Sequence, residues 1–165
     1  MKSEYRTITG RRLRLSTLTE TERNLLRQAR EHVRQPGGWN RFAAWWLRAF
    51  NDSGLTEDSP VWRVCRDLEA RLGIAEGKVA PPDYRDYLAD LIEERFGSRY
   101  RFCQETGIDP GQLSRVFAGK ADLSVPLLRR AVKALNAHLE VRPNQEVEEA
   151  FGRQEALDAL SEAVT

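Results

Sequence analysis

Apolar positions return every three or four residues over most of this chain, and each run begins or ends at a residue suited to a helix terminus. Thr19-Glu20-Thr21-Glu22 has the form of a capping box, the threonine hydroxyl reaching forward and the glutamate carboxylate reaching back. Leu25, Leu26, Ala29 and Val33 then share one helical face, and Pro36-Gly37-Gly38 ends it. Trp39, Phe42, Trp45, Trp46 and Phe50 repeat with the same period, with Asn40 as the expected cap. Such a stripe is either an aromatic box for a ligand or, as helical period alone produces it, a core face. Trp45 and Trp46 are adjacent and point about 100° apart, so one of them is expected to reach a second surface such as a dimer partner.

Ser59 and Pro60 open a further helix, VWRVCRDLEARLG, that groups Val61, Cys65 and Leu68, and Gly73 is expected to end it. Ile74–Pro82 reads as a connector, because Pro81-Pro82 cannot continue a helix. Asp83 caps a helix over Tyr84–Phe96 with Tyr84, Leu88, Leu91 and Ile92 along its inner face. Tyr5–Leu15 alternates loosely around Thr9-Gly10: a short hairpin, a basic arm carrying Arg11, Arg12 and Arg14, or an extended lead-in whose arginines are merely solvated.

The most informative stretch is FCQETGIDPGQLSRVFAGK, Phe102–Lys120. Ser98 caps a short helix that ends at Gly107, the residue that most easily turns a chain in the left-handed conformation. Asp109 caps a second helix with Pro110 at its first position, where a missing N–H costs nothing. Leu113, Val116 and Phe117 fall on one face of that helix, Gln112, Ser114, Arg115 and Ala118 are left outside, and Gly119 closes it. Two short helices around a tight turn, the second presenting polar side chains, describe a helix-turn-helix. Ser124 and Pro126 start a last helix with Leu127, Leu128, Ala131, Val132 and Leu135 inside, and His138–Arg142 alternates as a short strand would.

From Tyr84 to Leu139, about a third of the chain, the sequence resembles the Cro/XRE-type, lambda-repressor-like helix-turn-helix family. The resemblance lies in a small residue, Cys103, followed at the family's spacing by Gly107, Leu113, Phe117 and Gly119-Lys120. It implies a DNA-binding domain whose second motif helix enters the major groove, and a homodimer on a palindromic site. Gln112 would offer an amide to adenine, and Arg115 a guanidinium to guanine. Ser114 would bond a base or a phosphate, and Gly111 would let the backbone approach. Arg99, Arg101 and Lys120 would contact phosphate. Asp109 at the entrance of that helix departs from a strongly basic reading surface.

Charge sharpens this picture. Met1–Pro82 carries 15 basic side chains against 10 acidic, Asp83–Pro143 has 10 against 9, and Asn144–Thr165 has 1 against 6. A nucleic-acid-binding protein needs a positive face rather than a positive total. The acidic tail has apolar positions at Val147, Phe151, Leu157, Leu160 and Val164 that suit an amphipathic helix, although Gly152 weakens it. It could dock on the basic N-terminal part, pair subunits or stay partly disordered.

No chemistry-bearing motif competes. His32 and His138 lie in different segments, Cys65 and Cys103 have no metal-ligand spacing, and no phosphate loop, dinucleotide fingerprint or nucleophile elbow is present. No enzyme activity, metal or cofactor is predicted. No apolar run suits a membrane span and no secretory signal is visible, so a cytoplasmic protein is expected. The expected architecture is all-α, with room for a short β-hairpin or strand. Residues 1–80 form an N-terminal helical domain for dimerisation or a partner or effector, 81–143 the helix-turn-helix domain, and 144–165 an acidic helix or tail. The expected function is a sequence-specific transcriptional regulator of repressor type, binding double-stranded DNA. The alternatives are an antitoxin-like or adaptor protein with a protein partner for its N-terminal domain, and an interaction module that keeps the fold without DNA binding.

Overall fold

The computed structural model describes residues 4–143 together with Leu157, Asp158 and Leu160. The fold is all-α with one short antiparallel hairpin: β1 (Glu4–Arg6), β2 (Arg12–Arg14), α1 (Glu20–Arg34), α2 (Gly38–Asp52), α3 (Pro60–Ala75), α4 (Tyr84–Phe96), α5 (Arg99–Thr106), α6 (Pro110–Phe117) and α7 (Val125–Ala134). Two compact units divide the chain, Met1–Pro81 with Pro143–Thr165, and Pro82–Arg142. Each has its own apolar core.

In the first unit α1, α2 and α3 close around Leu26, Val33, Phe42, Trp46, Val61, Val64 and Leu68. The aromatic stripe of α2 is core. Trp46 is buried, its indole N–H donates to Glu69 at 2.6 Å, and its ring meets Trp62 edge-on at 5.0 Å. Trp45 is only half-buried, and its ring stacks on His32 with 3.9 Å between centroids. The capping box of α1 is formed, and Glu22 also accepts from the Ser59 hydroxyl at 2.6 Å, which ties the starts of α1 and α3 together.

The hairpin pairs Glu4 with Arg14, Tyr5 with Leu13 and Arg6 with Arg12. Its inner face buries Tyr5 and Leu13 and is clamped to α3 by Asp67. That carboxylate accepts from the Tyr5 hydroxyl at 2.6 Å, the Ile8 N–H at 2.7 Å and Arg71 Nε at 2.8 Å. Arg71 also donates to the Arg6 carbonyl at 3.2 Å. Burial pushes the Tyr5 hydroxyl well above its ordinary pKa, and the Asp67 charge adds to this. A buried charge is tolerated here because it is paired and fully hydrogen-bonded.

Three expectations for local structure need correction. Asn40 does not cap α2: the helix already begins at Gly38, and the Trp39 N–H is taken by the Glu76 carboxylate, 2.8 Å away at the end of α3. Gly73 does not end α3, which continues to Ala75. It lies inside the last turn because the chain folds back over it, and an added Cβ would strike Val79. His138–Arg142 is not a strand, since no other segment among the described residues takes its backbone bonds, and Val141 is left 98% exposed. The expected amphipathic tail helix lies outside the described residues apart from Leu157, Asp158 and Leu160, of which Leu160 is buried in the first core.

The second unit packs α4 to α7 around Leu88, Ile92, Phe102, Ile108, Leu113, Val116 and Leu135. The connector before it ends at Asp83, which caps α4 in a reciprocal box with Asp86.

Candidate nucleic-acid interface

The α5–α6 pair is set by short-range chemistry. The Ser98 hydroxyl accepts from the Arg101 N–H at 3.2 Å to start α5, and Gly107 ends it at φ 69°, in the left-handed region. Two residues later Asp109 accepts from the Gln112 N–H at 2.7 Å and starts α6. Leu113 and Val116 turn inward and are buried, and Cys103 packs in the same core at 5% exposure. Burial pushes the Cys103 thiol up, and the Asp109 charge reinforces it, so the residue is a small core filler rather than a nucleophile.

Loops and neighbours fix the pair in place. Arg130 of α7 donates to the Thr106 carbonyl at the end of α5. The loop after α6 is held to α4 through Asp122, which accepts from the Tyr84 hydroxyl and from Arg85, each at 2.8 Å. These hydrogen bonds, with the Arg85 charge, lower the Asp122 pKa. The Tyr84 hydroxyl in turn accepts from the Leu123 N–H at 3.2 Å.

Each expected contact residue can now be placed. Gly111, Ser114, Arg115 and Lys120 are exposed, and Gln112 is half-buried at the base of the same helix. Among the described residues, no side-chain partner engages Gln112, Ser114, Arg115 or Lys120. Arg99 is exposed but does not hang free: its guanidinium lies over the Phe117 ring, 4.4 Å from the centroid. Phe117 is accordingly half-buried rather than enclosed. Arg101 is paired with Glu105 at 3.0 Å, both exposed, an ion pair worth less than about 1 kcal/mol and easily exchanged for another anion.

Neither a protein-family model, a curated protein nor a solved structure matches this chain.

Three residues of the surface escaped sequence reasoning. Tyr100 is 67% exposed on α5, and Gln104 donates to its hydroxyl at 2.8 Å. Their i,i+4 spacing was the available signal. Arg130 offered none, because its acceptor is a backbone carbonyl 24 residues away. From Arg99 to Ala134 seven basic side chains face three acidic ones, while α4 carries four acidic side chains against two basic. The near-neutral total therefore hides a separation along the chain. The described residues contain no cluster of three or more His, Cys, Asp or Glu side chains suited to a metal, and no helix long and apolar enough to cross a membrane.

Proposed function

We propose that the chain is a sequence-specific DNA-binding regulator of the Cro/XRE helix-turn-helix type, acting as a repressor and reading the major groove with α6. The observation that carries this reading is the division of α6. Its apolar side is locked into the core by Leu113 and Val116, while Gln112, Ser114 and Arg115 face outward without partners among the described residues. Polar side chains with unspent donors on a short rigid helix are what base edges require: an amide matches adenine, a guanidinium matches guanine O6 and N7. The Asp109 carboxylate takes the Gln112 amide and sets a negative charge at the start of α6, which disfavours a phosphate there. The start of α5 is capped by the neutral Ser98 hydroxyl instead. It has no acidic residue in its first turn, and it carries Arg99 and Arg101. Lys120 completes the phosphate contacts on the other side of the reading helix. A homodimer on a palindromic site belongs to the same proposal.

Fluorescence anisotropy with DNA from upstream of the gene, over a salt series, tests it. Wild type is expected to prefer one sequence, and Gln112→Ala/Arg115→Ala to lose that preference while weak, salt-dependent binding persists, at a cost of about 1–3 kcal/mol per base contact. Equal and feeble binding by both proteins on every sequence would refute the reading and turn attention to a protein partner of the first unit.

A further inference from the structure

The N-terminal hairpin carries an arrangement of charge that its own fold does not explain. The Thr7 N–H donates to the Arg11 carbonyl at 2.9 Å, which makes Thr7–Arg11 a hydrogen-bonded pair. Pair types alternate along an antiparallel ladder, so the neighbouring Arg6–Arg12 pair is of the non-hydrogen-bonded kind, whose side chains stand closest. Two guanidiniums thus sit directly opposite each other on the outer face, an arrangement that opposes strand pairing. Arg14 lies on the same face two residues further on. The register sets Glu4 across from Arg14, yet no ion pair joins them among the described residues. Arg6, Arg12 and Arg14 are all exposed and none has an acidic partner among the described residues.

The arginines of α1 behave differently. Arg23 and Arg27 both reach Glu20, at 3.3 and 3.0 Å, and Arg34 reaches Glu31 at 3.1 Å. Three of the four arginines on that helix are matched by its own acids, whereas on the outer face of the hairpin positive charge is concentrated and has no acidic partner among the described residues. The hairpin is also rigidly mounted, because Asp67 and Arg71 grip Tyr5, Arg6 and Ile8 from behind.

From this we infer that the outer face of the β1–β2 hairpin is a second nucleic-acid contact, in which Arg6, Arg12 and Arg14 hold the phosphate backbone of duplex DNA. Alternate residues of a strand are about 6.6 Å apart, comparable with successive phosphates along one DNA strand. An anion lying across Arg6 and Arg12 relieves their mutual repulsion, so the charge that disfavours the free hairpin favours the complex. Contacts of this kind raise affinity for every sequence alike and add nothing to base discrimination. The inference rests on the DNA-binding reading above but concerns a different element.

The test compares salt slopes of DNA binding, on selected and on unrelated sequences, for the full chain and three variants. Arg6→Ala/Arg12→Ala/Arg14→Ala is expected to flatten the log–log salt slope by about 2–3 and to weaken binding on the order of 10–100-fold on both sequences, leaving their ratio unchanged. Arg6→Lys/Arg12→Lys/Arg14→Lys, which keeps the charge, retains most of the slope and serves as the check that the ribbon still forms. Arg23→Ala/Arg27→Ala/Arg34→Ala removes the same charge from α1 and is expected to change the slope by less than about 1. A hairpin alanine variant with the wild-type slope, or an α1 variant that flattens it equally, would overturn the hairpin contact while leaving the reading by α6 intact. Absence of salt-dependent binding by wild type would overturn both.

Discussion

A single carboxylate shows how residue-level chemistry sets the pH response of the first unit. Burial alone would raise the pKa of Glu22, but hydrogen bonds from Ser59 and from the Thr19 backbone and hydroxyl outweigh it, and the net shift is downward from 4.5. A carboxylate whose folded pKa is depressed stabilises the fold above its unfolded pKa. That contribution drains away as pH falls through the folded value. Glu22→Gln is therefore expected to lower the urea midpoint at about pH 7, and to lose less stability than wild type as pH falls below the ordinary carboxylate value of 4.5. Parallel midpoint curves for the two proteins would contradict this. Half of the Glu22 environment was legible in the sequence, because a capping box is a local pattern of four residues. The bond to Ser59 was not, since it spans 37 positions and depends on how α1 meets α3. Asp67 makes the same point more strongly: it gathers Tyr5, Ile8 and Arg71 around one buried charge, and nothing in its neighbours announces that role.

At the scale of elements, the sequence was most legible where ends are self-capped. Thr19, Ser59, Asp83, Ser98, Asp109 and Ser124 were all identifiable as caps, and each accepts a bond from a backbone amide of its own helix. The start of α2 was misread because its capping carboxylate, Glu76, comes from another helix. The geometry of the candidate site is legible for the same reason, as the α5–α6 turn is built from local signals at Ser98, Gly107 and Asp109. Gly107 is its most sensitive position. Any L-residue there carries the left-handed strain of roughly 1–2 kcal/mol. An added Cβ would also stand 2.9 Å from Arg130 Nη2, forcing that guanidinium off the Thr106 carbonyl. Gly107→Ala should cost about 2–3 kcal/mol in urea unfolding, strain plus one lost hydrogen bond. In an Arg130→Ala background the penalty should shrink by about 1 kcal/mol, since that bond is already absent. Strict additivity of the two substitutions would show that Arg130 does not brace the turn.

On the scale of the molecule, the two cores share no residue, and this has an energetic consequence. Leu68 is fully buried with Val61, Val64 and Cys65 in the first unit; Leu113 and Val116 are equally buried in the second. Truncating Leu68 to alanine removes buried methyl groups and leaves a cavity, at about 2–5 kcal/mol. Packing energy is lost only where side chains touch, and effects on sites without shared partners add independently. Leu68→Ala is thus expected to lower amide hydrogen-exchange protection across α1, α2 and α3 by the full cost of the cavity. Protection at Leu113, Val116 and Leu135 should stay within about 0.5 kcal/mol of wild type. The reciprocal variant, Leu113→Ala, should reverse the pattern and also weaken sequence-selective DNA binding, because it loosens the helix proposed to read the bases. Loss of protection in both units from either substitution would mean that the chain unfolds as one cooperative body. In that case a defect in DNA binding from a core substitution in the first unit would say nothing specific about the hairpin. The exchange experiment therefore has to precede interpretation of the arginine variants, and the Lys triple variant of the hairpin is its natural companion.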